Sequence, residues 1–122
     1  MERARYEEHV DAFGARLAGE GKSKNTVASY TRDVGEFLAH LAANDVARVD
    51  HLTEEHVAGF IASLASRDLG ERSKAKKLTS IRSFLVWARH EGLLQSYPTK
   101  LTYARIKQVI RVHAQQRKAA GG

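Results

Sequence analysis

The chain contains no cysteine and a single proline in 122 residues. The first absence excludes disulfides, thiolate metal sites and cysteine nucleophiles, and fits a reducing interior. The second, with nine glycines gathered mostly between apolar-periodic stretches, argues for helices joined by short turns. No strand alternation appears. No apolar run approaches the roughly 18 residues of a membrane span, and residues 1–20 are charged throughout, so the expectation is a soluble, intracellular protein with neither membrane helix nor signal peptide. At 43% apolar content the chain can bury one core, not two. Acid is the other scarce commodity. Residues 1–72 carry nine Lys/Arg against thirteen Asp/Glu, net −4, whereas residues 73–122 carry eleven against Glu91 alone, net +10. A self-repelling half of this kind suits a polyanionic partner, and nucleic acid is the first candidate.

Four apolar stripes have helical spacing. Tyr6, Val10, Phe13 and Leu17 predict a first helix ending at Gly19-Glu20-Gly21. Val27, Tyr30, Val34, Phe37, Leu38 and Leu41 predict a second, capped by Ser23 or Asn25 and running out near Asn44-Asp45. The third opens on Thr53 as N-cap, with Glu54 and Glu55 suiting the helix dipole, turns Val57, Phe60, Ile61 and Leu64 inward, and stops by Gly70. Ser73 is read as the start of the fourth, with Leu78, Ile81, Phe84, Leu85 and Ala88 inward and Gly92 at C′. After Tyr97-Pro98, residues 100–118 place Tyr103, Ile106, Val109, Ile110 and His113 at helical spacing among six basic residues. The expected organisation is a bundle over residues 1–98 and a basic C-terminal helix or tail over residues 99–122.

The faces opposite the core stripes carry the functional signal. On helix four they are Lys76, Thr79, Arg82, Ser83 and Val86, with Ser80 at the edge and Lys77 toward the core. On helix two they are Ala28, Ser29, Arg32 and Gly35, approached through Lys22, Ser23, Lys24, Asn25 and Thr26. Such faces are small, hydroxylated and basic, and can approach a phosphodiester backbone closely. A basic helix face is by itself most often only solvated. Here, however, both helices are read as opening on positive residues, Lys22 and Lys24 in one and Lys74, Lys76 and Lys77 in the other, where the dipole favours acids and exposed N–H groups attract anions.

The segment Gly21-Lys-Ser-Lys-Asn-Thr-Val-Ala-Ser-Tyr30-Thr-Arg-Asp-Val-Gly-Glu-Phe37-Leu resembles the pattern S-x-N-T-x-x-x-Y-x-x-D-x-x-x-F-L that opens the core-binding domain of tyrosine recombinases, the phage-integrase and Xer family. Leu52 to Phe60 is similar to that family's third helix, and Ser73 through Gly92-Leu93 to its fourth. The resemblance spans roughly residues 6–98. It implies an all-α fold, a SAM-like orthogonal four-helix bundle of two crossed hairpins, here with an extra basic C-terminal helix. It further implies half of a C-shaped clamp on double-stranded DNA, with helices two and four at the major groove. Carried over by position, the contacts would be Lys24, Asn25, Thr26, Arg32, Ser73, Lys76, Lys77, Thr79, Arg82 and Ser83; Lys22, Ser23 and Lys74 join them from the basic helix starts. Tyr97-Pro98 stands where the family has Asn-Pro and an extended linker.

The family's catalytic set of two arginines, a lysine, H-x-x-R and a tyrosine nucleophile is not present. None of the six histidines has Arg three residues later; His113 and Arg117 are four apart. Tyr97 and Tyr103 are therefore read as packing residues, and Trp87 as packed under helix one or the tail. Gly21-Lys22-Ser23 ends like a P-loop, but Arg16 occupies the first-glycine position. The histidines show no zinc spacing. The expectation is a non-catalytic DNA-binding module of a recombinase, without metal, cofactor or small-molecule substrate, cytoplasmic and nucleoid-associated when bound. Its tail would dock on its own bundle, on a second copy or on recombinase subunits. The rival is a SAM-type interaction domain whose basic tail meets an acidic partner or RNA, and it requires an exposed apolar patch.

Overall fold

A computed structural model describes residues 2–46 and 48–94, with side chains from Tyr6 onward. Among these residues the architecture is entirely helical: α1 (Glu2–Gly19), α2 (Lys24–Ala43), a short 3₁₀ turn (Val49–His51), α3 (Glu54–Ala65) and α4 (Glu71–His90). The expected basic helix over residues 100–118 and the boundary at residue 98 lie outside the described residues, as do Tyr97 and Tyr103.

The helical stripes become the core. Tyr6, Phe13 and Leu17 of α1, Val34, Phe37, Leu38 and Leu41 of α2, Val57, Phe60 and Leu64 of α3, and Leu78, Ile81, Phe84, Leu85 and Ala88 of α4 are all buried in one cluster. Val10, Val27, Tyr30 and Ile61 flank it, half-buried. α2 is the hub, packed most extensively against α1 and α4. Its approach to α1 is close at Gly14, where a Cβ would stand 3.0 Å from Thr31 Cγ2. Phe13 and Phe84 meet edge-on at 5.5 Å, and Trp87 lies 5.7 Å from both rings, which seals α4 against α1 as the sequence suggests.

The connections hold core residues that periodicity alone does not show. Asn44 caps α2, Asp45 takes the left-handed region (φ 63°), and the chain turns so that Val46, Val49 and Leu52 enter the core. Tyr6 Oη donates to Val46 O at 2.5 Å, tying this turn to α1. Thr53 is the N-cap of α3, and its N–H donates to Nδ1 of His56 at 3.0 Å, so a histidine fills the place Glu or Gln takes in a capping box. Gly92 adopts φ 78° after Glu91, closing α4 as its C′ residue and bringing Leu94 back into the core.

The start of α4 differs from expectation. It begins at Glu71 behind an extended Gly70, two residues before Ser73. Gly70 supplies the cap conformation and Glu71 the first-turn acid that the dipole favours, so Ser73 is an ordinary exposed position in the first turn.

Phe84 is fully buried whereas Val86, two residues on, is exposed. Phe84→Ala should therefore cost about 3–5 kcal/mol and Val86→Ala less than about 0.5 kcal/mol, measured by urea unfolding of the two variants side by side.

Candidate nucleic-acid interface

Ser23 caps α2 in an extended conformation, its Oγ accepting the Thr26 N–H at 3.1 Å and donating to Thr26 Oγ1 at 2.9 Å. The first turn of α2 contains no acid. Lys22, Ser23, Lys24 and Asn25 are exposed around it, with Thr26 half-buried. The N–H groups that Ser23 does not take up, and the positive dipole end, therefore face solvent with no carboxylate of their own turn beside them. The parallel argument for α4 does not stand, because Glu71 occupies its first turn.

The outward sides of α2 and α4 meet. The Lys76 ammonium donates to Ser29 Oγ and lies 3.7 Å from Asp33 Oδ2. This contact joins Ala28, Ser29 and Arg32 of α2 to Lys76, Thr79 and Ser83 of α4 in one surface. Arg32 and Lys76 are exposed, and Ser29, Thr79, Arg82 and Ser83 half-buried. Thr79 Oγ1 donates to Ala75 O at 2.9 Å, which leaves its oxygen as an acceptor. Among the described residues, Lys22, Lys24 and Arg32 have no ion-pair partner.

Beneath the seam lies a polar network that the sequence did not announce. Asp33 is 3% exposed. Its Oδ2 accepts Ser80 Oγ at 2.8 Å, and its Oδ1 lies 3.3 Å from Lys77 Nζ. Ser80, read from the sequence as an edge residue of the outward face, is fully buried for this reason. Lys77 Nζ also donates to Glu36 Oε2 at 2.7 Å, and Glu36 Oε1 accepts from the Arg67 guanidinium. Burial opposes the charge on Glu36, but the hydrogen bonds and attraction of Lys77 and Arg67 outweigh it and hold the carboxyl below its ordinary pKa. Burial likewise opposes the charge on Lys77, yet Glu36 and Asp33 raise its pKa above the ordinary value.

Two expected contacts are thereby relocated. Lys77 is committed to Asp33 and Glu36 between the helices. Lys74 is 3% exposed, and its ammonium donates to Ala65 O at 3.2 Å, satisfying a carbonyl at the end of α3. Both carry charge expected at DNA that the fold turns inward. A shallow groove between α1 and α2, lined by Val10, Asp11, Gly14, Val27, Ala28, Thr31 and Arg32, opens beside the seam. Among the described residues no three His, Cys, Asp or Glu side chains gather as a metal site, and no helix is long and apolar enough to cross a membrane.

Comparison with known proteins gives a consistent neighbourhood. Residues 10–92 match the family described as phage integrase, N-terminal SAM-like domain. The chain is similar to the tyrosine recombinase XerC of Neisseria meningitidis serogroup B, 38% identical over 91 residues, covering 75% of this chain and 30% of the relative. It is also similar to XerC of Pseudomonas syringae pv. syringae, 30% identical over 93 residues (75% and 31%), and of Roseiflexus castenholzii, 29% over 94 residues (76% and 30%). The chain thus spans about a third of the length of these relatives. No solved structure matches.

The network predicts a two-sided pH dependence. Glu36 has a lowered pKa when folded, so its contribution is complete above the ordinary value of 4.5 and is lost as pH falls through the lowered one. Lys77 has a raised pKa, so its contribution is complete below 10.5 and is lost as pH rises through the raised one. Urea unfolding across this range should show a plateau at neutral pH, and Lys77→Met should lower the plateau and flatten the alkaline limb.

Proposed function

The chain belongs to the phage integrase N-terminal SAM-like domain family, and from that premise we propose that it binds duplex DNA through α2 and α4 as the core-binding module of a tyrosine recombinase. The observation that carries this reading is the Lys76–Ser29 contact, which makes one surface of two separately basic, hydroxyl-rich helix faces. Exposed N–H groups at the start of α2, with Lys22, Lys24 and Arg32, supply phosphate contacts; Ser29, Thr79 and Ser83 let both helices approach the backbone closely. Arg82 and Lys76 add charge on α4. Lys74 and Lys77 support this surface from inside rather than touch DNA. The rival reading, a protein-interaction domain, calls for an apolar patch, and among the described residues Val86 is the single large hydrophobic side chain that is exposed.

For about four or five phosphate contacts, the plot of log affinity against log salt on random duplex should have a slope of about −4 to −5. Lys24→Glu combined with Arg32→Glu should reduce the slope by about 2 and weaken binding, with the melting temperature unchanged. A salt-independent affinity would overturn the proposal. Lys76 is better probed by Lys76→Gln, because Glu at this position would face Asp33.

The module by itself is proposed to perform no strand cleavage. Attack on a phosphodiester requires cationic groups around the transition-state oxygens together with a nucleophile, and the sequence contains no H-x-x-R. Incubation with supercoiled plasmid and with nicked suicide duplexes should give no covalent adduct on denaturing gels. An adduct abolished by Tyr97→Phe or Tyr103→Phe would replace this reading with an enzymatic one.

A further inference from the structure

Val86 is 36% exposed, the one large hydrophobic side chain so placed among the described residues. A single exposed apolar residue is ordinary on a protein surface, but its position is not neutral. Arg72, Lys76, Thr79, Ser83, Val86 and His90 recur at alternating three- and four-residue spacing along α4, which places them in one line on the helix. All six are exposed or half-buried. The chemistry along that line changes in order, from cations through hydroxyls to a branched apolar side chain. Valine is also a poorer helix former than alanine or lysine at a solvent-facing position, so the local propensity gives no reason for it.

We infer that Val86 is a specificity-determining residue that reads the C5-methyl group of a pyrimidine, thymine in unmodified DNA, in the major groove. The inference rests on the duplex-binding reading above and deepens it. Ten residues separate Lys76 from Val86, about 15 Å along a helix, against a major groove about 12 Å wide. Because that span exceeds the width, Val86 reaches the base edges when α4 lies obliquely along the groove, with Lys76 at a phosphate wall near the α2–α4 seam. Thr79 and Ser83 between them are small enough to let α4 sit deep. The base edges there present hydrogen-bonding groups with one apolar exception, the thymine methyl. A valine isopropyl group matches that exception and can satisfy none of the others.

The test uses the whole chain. Duplexes are selected from a randomised pool at low salt with the unmodified protein and with Val86→Ala, which leaves the fold intact because the side chain is exposed. Each thymine of the selected duplex is then replaced singly by uracil, which removes only the methyl group. One replacement should weaken the unmodified protein by roughly fourfold, the change expected for one methyl taken out of contact, and should leave Val86→Ala unaffected. Replacing that thymine by 5-methylcytosine, with guanine opposite, should retain more affinity than cytosine does. Uracil replacements that affect both proteins equally, or duplex binding with no thymine dependence, would overturn the inference while leaving DNA binding in place. Failure to retain any duplex at low salt would instead remove the DNA-binding reading, and this inference with it.

Discussion

A carboxylate withdrawn from water between two helices must be answered by donors, and Asp33 sets that demand for this bundle. Leaving such a charge uncompensated in an interior costs several kcal/mol. Ser80 and Lys77 of α4 respond directly, Lys76 from the rim, and Glu36 one turn along α2 shares Lys77 and draws in Arg67 from beyond α3. Residues of α4 and of the connection after α3 thus converge on two carboxylates of α2. Apolar contacts could hold α4 against α2 as tightly, but they are non-directional. The hydrogen bonds from Ser80 and Lys77 select one register of α4 on α2, and the relative placement of the two outward faces follows from that register.

The same demand divides the basic residues of α4 into two populations. Lys74 and Lys77 point inward, one to a carbonyl at the end of α3 and one to the acids of α2. Lys76 stands between the populations. Its side chain is half-exposed, and at 3.7 Å its pairing with Asp33 is screened by solvent. A phosphate arriving at the seam can compete for it, whereas Lys77, held by two carboxylates, is out of reach. The +10 charge of residues 73–122 therefore overstates the charge that α4 offers a polyanion, and the N-terminal approach to α2, with Lys22, Lys24 and Arg32, carries more of the burden than composition suggests.

The four helices and nearly all of the core were legible in the sequence because burial imposes a 3.6-residue period that Phe13, Phe37, Phe60 and Phe84 all obey. Caps with a side-chain or backbone signature, Ser23, Thr53 and Gly92, were legible too. The start of α4 was not: Ser73 has the chemistry of a cap, and only the extended Gly70 followed by Glu71 reveals the true boundary. A helical wheel misplaces Ser80 at the edge of the outward face, because it assigns a side to each residue without knowing what lies opposite. Lys77 fell toward the core on the wheel and was expected to extend its chain to phosphate, whereas Asp33 and Glu36 hold it between the helices. Asp33 stands in the motif, but an Asp on a helix reads as a surface residue until its burial is seen. Val46, Val49 and Leu52 escaped notice because a turn has no period.

Along α4 the groups suited to affinity and those suited to selectivity occupy different parts of one helix. Charge acts at a distance and regardless of sequence, so under the proposed reading Arg72 and Lys76 near the start, with the basic approach to α2, serve affinity for any duplex. Contact chemistry acts only at van der Waals range. Ser83 and Val86 can contribute only after the helix has been drawn in and only if the base edges match. The buried network bears on both. By fixing Lys76 beside Ser29 it ties the charged end of α4 to α2, and through the rigidity of a continuous helix it also sets where the uncharged end comes to rest. A fold that turns two of its own lysines inward to hold one register gives up some electrostatic attraction, and what it gains is a defined position for the outward side chains proposed to meet the base edges.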